Sequence, residues 1–206
     1  MPNNVEVPSL PREPALLIVL SGPSGAGKDS VCDILRGWYP TMHRVVTATT
    51  RPVRPGEENG KAYHFISRPE FDKILETGGF VEHATVFQHS YGVPRIEIED
   101  PLAFGRDVIA RVDVQGAATL KRLFPDAVLI FLTPGSVEEA VRRMKHRDLD
   151  TEAQQRLRTE IAASELEASK DFDHVVVNET GKLDEAASAV ARIIAAEKKR
   201  RAARHE

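Results

Sequence analysis

Six consecutive apolar residues, Ala15–Leu20, stand between Pro14 and the glycine-rich stretch that opens at Gly22. A run that is apolar at every position, not at alternate ones, is the mark of a strand covered on both faces, as in a parallel sheet. After the glycines, Val31, Ile34, Leu35 and Trp38 recur at helical spacing until Pro40 stops the pattern. Val45–Thr49, Val108–Val114, Val128–Leu132 and His174–Asn178 are further apolar or β-branched runs of strand length. Helical patterns cover about 137–145, 153–170 and Leu183–Glu197. Residues 51–62 are polar and rich in Gly, Pro and Glu, so they predict a loop. Residues 63–93 hold short aromatic pieces, Tyr63–Ile66 and Phe80–Val86, around a short helix near Pro69–Glu76.

Strands alternating with helices predict an α/β fold: three layers, with a five-stranded parallel sheet inside. The short aromatic pieces predict a small lobe inserted into it. The expected organisation is one domain over 1–206. Its core is 15–46, 99–141 and 157–197, its inserted lobe 47–98, and 142–156 is a separate, largely polar segment. No internal repeat interrupts this pattern.

Composition narrows the function classes. The 206 residues are 41% hydrophobic and 29% charged, with a formal net charge of -3. That balance speaks against a nucleic-acid-binding domain, which carries an excess of basic charge. The single cysteine, Cys32, excludes an intramolecular disulfide and a thiolate metal site. The seven histidines show no metal-ligand spacing. Met1–Pro14 reads as a loose arm without a signal peptide, and no apolar run is long enough to span a bilayer. A cytoplasmic enzyme with no nucleic-acid or membrane partner is the expectation. The basic run Lys198–Arg204 reads as a solvated helix end, where cations suit the dipole.

The chemistry starts at Gly22-Pro23-Ser24-Gly25-Ala26-Gly27-Lys28, the first seven positions of the Walker A pattern. It sits between a buried strand and a helix start. Glycines let successive backbone N–H groups turn inward onto phosphate oxygens, and the helix N-terminus adds partial positive charge. Lys28 can reach the β- and γ-phosphates. The eighth position, where a Ser or Thr hydroxyl ligates Mg²⁺, is Asp29, followed by Ser30. Either one is the candidate Mg²⁺ ligand.

The stretch Thr47-Ala-Thr-Thr-Arg51-Pro-Val-Arg54-Pro-Gly-Glu-Glu-Asn-Gly60-Lys-Ala-Tyr63-His-Phe65 resembles the guanylate kinase signature. Glu82, Tyr91-Gly92, Asp113-Val-Gln-Gly116 and Val176-Val-Asn178 extend the resemblance from about Leu16 to Glu197. It implies ATP and GMP as substrates with Mg²⁺, a GMP-binding lobe over 47–98 and a lid over 142–156. Arg51, Arg54, Tyr63 and Tyr91 match the residues that grip the GMP phosphate, and planar arginine forks suit a dianion. Glu82 can accept from both guanine N1–H and N2–H₂, with Thr47 beside it, and adenine lacks that donor pair. Gly92 and Asp113 complete the implied GMP set. Asn178 matches the position near adenine, and Arg147 and Arg156, with Arg143 a lesser candidate, match lid arginines that close over the phosphates. Lys28, Arg51, Arg147 and Arg156 would neutralise charge during transfer.

Two charges depart from that pattern. Arg111 replaces the first aspartate of the Asp-x-Asp strand end, and Asp29 replaces the Walker hydroxyl. One position has gained negative charge and the other positive, so an ion pair or shared water network between them is expected. Val93 also stands where a hydroxyl residue commonly contacts guanine. Two other functions remain open. The Gly-Lys-Asp-Ser sequence also occurs in relatives that phosphorylate ribose bisphosphates, and a guanylate-kinase-like module can bind without turnover. Monomer and homodimer are equally compatible with the sequence.

Overall fold

The computed structural model describes residues 7–11, 14–61, 63–86, 88–144, 164 and 167–204. β1 (Leu17–Ser21) leads through the glycine loop into α1 (Lys28–Trp38), and the chain returns to β2 (His43–Arg44). β7 (Val108–Arg111), α4 (Val114–Leu123), β8 (Val128–Thr133), α5 (Val137–Met144), β9 (His174–Val177) and α6 (Leu183–Ala202) follow later. β2, β7, β1, β8 and β9 lie side by side in that order, every pair parallel.

Both faces of this sheet are covered. Leu16, Ile18, Leu20, Ile130 and Leu132 pack with Val31 and Leu35 of α1 and Val190 and Ile194 of α6. Leu17, Val19, Ala110 and Leu129 pack on the other face with Ala117 and Leu120 of α4. Alternate residues of one strand therefore feed two cores, which is why Ala15–Leu20 has no polar position. Each fully buried Leu or Ile contributes about 1.5–3 kcal/mol. Lys198 is buried at the far end of α6, with its ammonium 2.6 and 2.7 Å from the two Asp107 oxygens. Asp107 also accepts from the Leu16 N–H, so one carboxylate ties α6 to the starts of β1 and β7.

A second sheet holds β4 (His64–Phe65), β3 (Ala48–Thr49), β6 (His89–Pro94) and β5 (Phe80–Val86) in that order. β3 pairs parallel with β4, and the remaining pairs are antiparallel. α2 (Arg68–Glu76) packs Phe71 against Phe80, beneath this sheet. Ser67 starts it with a capping box: its hydroxyl accepts from the Glu70 N–H, and Glu70 accepts from the Ser67 N–H at 2.7 Å. α3 (Ile96–Ala103) returns the chain to the core.

The structure corrects the sequence expectation at four places, one of them Lys198, expected on a solvated helix end but buried against Asp107 because the start of β7 packs on that turn of α6. The strand expected over Val45–Thr49 is split. His43–Arg44 belongs to the parallel sheet and Ala48–Thr49 to the second sheet, so 45–47 is the crossing between them. α3 and α4 were not expected at all. The expected helix over 153–170 falls mostly outside the described residues, and Ala168–Asp171 is a 3₁₀ turn. Among the described residues, no helix is long and apolar enough to cross a membrane.

Candidate functional site

The glycine loop closes onto the C-terminal end of β1, and α1 begins at Lys28 directly after it. Gly27 has φ +92°, and a Cβ there would lie 2.5 Å from Asn178 Nδ2. That amide donates to the Ala26 carbonyl at 2.8 Å, so the end of β9 braces the loop and only glycine fits between them. The Lys28 ammonium donates to the Gly22 and Pro23 carbonyls, the latter at 3.0 Å. It thus lies folded along the loop that would receive phosphate.

A cleft of about 270 Å³ opens between the two sheets. The core contributes Gly22, Ser24, Lys28, Arg111 and Asp113 to its lining. The second sheet contributes Glu82, Tyr91 and Gly92, and the residues just before β3 and β4 contribute Thr47 and Tyr63. Sequence-predicted residues more than 80 positions apart therefore meet in one place.

Glu82 and Asp113 form the acidic part of the cleft. Asp113 caps α4, accepting from the Gly116 N–H at 2.8 Å. Glu82 comes so near this helix that a Cβ on Gly116 would lie 2.5 Å from its Oε2. Burial raises the Glu82 pKa above the ordinary carboxylate value, and the neighbouring Asp113 charge raises it further. Two carboxylates thus line one cleft, a costly arrangement that suits a ligand with N–H donors.

Arg51 is 7% exposed and sits behind the tyrosines, its guanidinium 5.4 Å from the Tyr63 ring centroid and 5.5 Å from that of Phe65. Glu57 takes both arms of its fork, at 2.8 and 3.0 Å. That hydrogen-bonded pair raises the Arg51 pKa and lowers that of Glu57. Arg54 is exposed and outside the cleft lining, although its backbone N–H donates to Glu57 at 2.9 Å. The carboxylate of Glu57 marks the place where Arg51 can hold an oxyanion.

Asp29 Oδ1 lies 2.9 Å from Arg111 Nε, which makes the expected ion pair direct. Arg44 joins it from β2, with one arm 2.6 Å from Asp29 and the other 2.6 Å from Asp33. Burial lowers the Arg111 pKa, but Asp29 and the Tyr63 hydroxyl outweigh it and leave a net rise.

These residues do not fit a protein-held Mg²⁺. The Asp29 carboxylate faces two guanidiniums, and the strand-end position carries Arg111. Ser30 lines a different cavity, with Gly27, Asn178 and Thr180. Among the described residues, no group of three His, Cys, Asp or Glu side chains could hold a metal ion.

That second cavity is bounded by the Gly27 end of the glycine loop, α5 and the segment after β9. Asn178 is 5% exposed within its wall. Arg142 and Arg143 both bind Glu139, and Arg143 also donates to the Asn178 carbonyl at 2.7 Å. Their hydrogen bonds and that of Thr180 hold Glu139 far below the ordinary carboxylate range. Arg147 and Arg156 lie outside the described residues.

Sequence reasoning missed Arg44, Glu57 and Glu97 as partners. Glu97 of α3 accepts from His43 of the core and His64 of the second sheet, each at 2.8 Å, and from the Val46 N–H at 3.1 Å. It spans the crossing segment. Only Glu57 lay inside a recognised motif, and nothing in that motif identified its partner.

A parallel sheet feeding a glycine loop into a helix, faced by a smaller sheet across a polar cleft, defines a P-loop nucleoside monophosphate kinase fold. Comparison with known proteins carries this further. The family model described as guanylate kinase matches residues 15–197. Guanylate kinase 2, chloroplastic/mitochondrial, of Oryza sativa subsp. japonica is 42% identical over 192 residues, 93% of this chain and 67% of that protein. The guanylate kinase of Leifsonia xyli subsp. xyli is 44% identical over 165 residues, 80% of this chain and 65% of its own length. The chain thus spans about two thirds of these two relatives. The crystal structure of guanylate kinase from Anaplasma phagocytophilum superposes with a TM-score of 0.70 at 33% identity, covering 89% of this chain and 86% of that one. Shikimate kinase from Acinetobacter baumannii, at 15% identity and a TM-score of 0.50, shares the fold alone. The chain belongs to the guanylate kinase family.

Proposed function

We propose that this protein transfers the γ-phosphate of ATP to GMP, and to dGMP, giving ADP and the corresponding diphosphate. The observation that carries the proposal is the placement of Glu82 and Asp113 in the same cleft as Lys28. A carboxylate pair there accepts the adjacent N1–H and N2–H₂ donors of guanine, and adenine would leave it unpaired. Thr47 and Gly92 line the cleft beside them.

The GMP phosphate falls to Tyr63 and Tyr91, with Arg51 behind them exchanging Glu57 for phosphate oxygens. Arg54 would have to turn in from solvent. ATP lies along the glycine loop, with Lys28 leaving the loop carbonyls for the β- and γ-phosphates. Ser30 and Asn178 line the second cavity. An oxygen of the GMP phosphate attacks the γ-phosphorus, and the bond to the β-phosphate oxygen breaks, leaving that oxygen on ADP. No side chain forms a covalent intermediate, so alignment and charge neutralisation supply the catalysis. We assign GMP binding to 47–98 and the lid to 142–156, whose Arg147 and Arg156 would cover the phosphates. Mg²⁺ is proposed to accompany ATP, and the reaction to be cytoplasmic, without nucleic-acid or membrane partners.

ADP release from Mg·ATP, measured separately with GMP, dGMP, AMP, CMP, UMP and ribose 1,5-bisphosphate, tests this reading. Turnover with GMP and dGMP but little with the other bases supports it. Turnover with the ribose bisphosphate alone, or ATP and GMP binding without turnover, overturns it.

A further inference from the structure

P-loop enzymes hold their metal through two protein groups: the hydroxyl after the Walker lysine and a carboxylate at a neighbouring strand end. This chain has a carboxylate at the first place, Asp29, and a guanidinium at the second, Arg111. Hydroxyl plus carboxylate sums to one negative charge, and carboxylate plus guanidinium sums to none. The local field is therefore one unit more positive, and the further pair Arg44 and Asp33 adds no net charge. Such a field disfavours a bound cation and favours a phosphate.

The geometry fixes where that charge points. Arg111 ends β7 in register with Leu20, two residues before Gly22 of the loop. Its ion pair with Asp29 runs through Nε, at 2.9 Å. Its side chain is 29% exposed and lines the cleft together with Ser24, Lys28 and Tyr63. Asp29 is itself held by Arg44, which is anchored on Asp33, so the guanidinium of Arg111 is oriented before any ligand arrives.

We propose that Arg111, oriented by Asp29, is a phosphate-binding residue. It contacts the phosphoryl group between ATP and GMP in place of a protein-held Mg²⁺, and the metal reaches the site on the nucleotide alone. This rests on the kinase reading above. A purely structural brace between β7 and α1 would leave nucleotide affinity unchanged, which separates the two roles.

The test is calorimetric titration of the full chain with ATP, in EDTA and in excess Mg²⁺. It compares wild type, Arg111→Met, and the exchanged pair Asp29→Ser/Arg111→Asp, with thermal melting to check folding. Wild-type affinity should change less than about threefold on chelation. Arg111→Met should lose about tenfold in both conditions, and the exchanged pair should acquire a Mg²⁺ dependence of about tenfold or more. If the exchanged pair does not fold, wild type and Arg111→Met decide the matter. A tenfold loss for wild type on chelation, or an Arg111→Met protein that binds ATP like wild type, overturns the proposal. GMP turnover, followed in parallel, keeps the two readings apart. Its absence overturns the assigned reaction, whereas turnover accompanied by metal-dependent ATP binding overturns only the role of Arg111.

Discussion

The two sides of the cleft are built on different principles. On the acceptor side, Glu82 and Asp113 line the same cleft, and burial first and the Asp113 charge second raise the Glu82 pKa. Packing holds them there: Gly116 leaves room for Glu82, and Asp113 is tied down as a helix cap. On the donor side, the charges are satisfied internally. Lys28 lies on its own loop carbonyls, and Asp29 sits between Arg44 and Arg111. Recognition of a base needs polar groups kept waiting for a partner, so their positions tolerate little exchange. Handling phosphate charge depends on the summed field, so a carboxylate can stand at the hydroxyl position once a guanidinium stands at the strand end.

Four substitutions would break or sharpen this contrast. Lys28→Met should have the largest effect, lowering kcat by about 10³-fold through loss of charge stabilisation in transfer, with the melting temperature little changed. A steady-state assay reads it, and a loss below tenfold would mean that the donor side works without its lysine. Next, Arg51→Met should lower kcat/KM for GMP by about 10²–10³-fold, because it removes the phosphate fork and leaves Glu57 half-buried without its partner. KM for ATP should move little, and an equal effect on both substrates would dissolve the distinction between the two sides.

Glu82→Gln should follow, with a fall of about 10²-fold in kcat/KM for GMP and none for AMP. Its pH profile sharpens the point. The carboxylate must be ionised to accept both guanine donors. Because its pKa is raised, GMP binding should weaken on acidification sooner than an ordinary glutamate would cause. The smallest effect belongs to the tie across the crossing segment. Burial favours the neutral form of Glu97, but His43, His64 and the Val46 N–H outweigh it and bring its pKa from 4.5 to about 2. A depressed carboxylate contributes stability that is present above 4.5 and is lost as pH falls towards 2. Glu97→Gln should therefore cost about 2 kcal/mol at neutral pH and progressively less below pH 4.5, as read by urea unfolding at several pH values. A pH-independent cost would show that the ionised carboxylate contributes nothing.

The parallel sheet was legible because burial on both faces leaves an unmistakable run, as in Ala15–Leu20. The crossing at 45–47 was not, because a β-branched run looks alike whether it stays in one sheet or passes between two. α4 was hidden by its small residues, Gly116 and Ala117, which serve close packing and give no helical stripe. In the site, Lys28 could be named from the Walker A spacing, and Tyr63, Glu82 and Asp113 from the resemblance to the guanylate kinase signature. The Asp29–Arg111 pair was foreseeable from two complementary departures in charge. Arg44, which anchors that pair, carries no local signal, since its role depends on β2 lying beside β7.

The central claim is that the carboxylate pair reads guanine while the glycine loop presents the γ-phosphate. The most direct measurement follows label from γ-³²P-ATP into acceptor, with GMP and AMP compared on the wild-type chain. The account predicts labelled GDP and a kcat/KM for GMP at least about 10³-fold above that for AMP. Equal labelling of GDP and ADP, or label released only as phosphate, would contradict it.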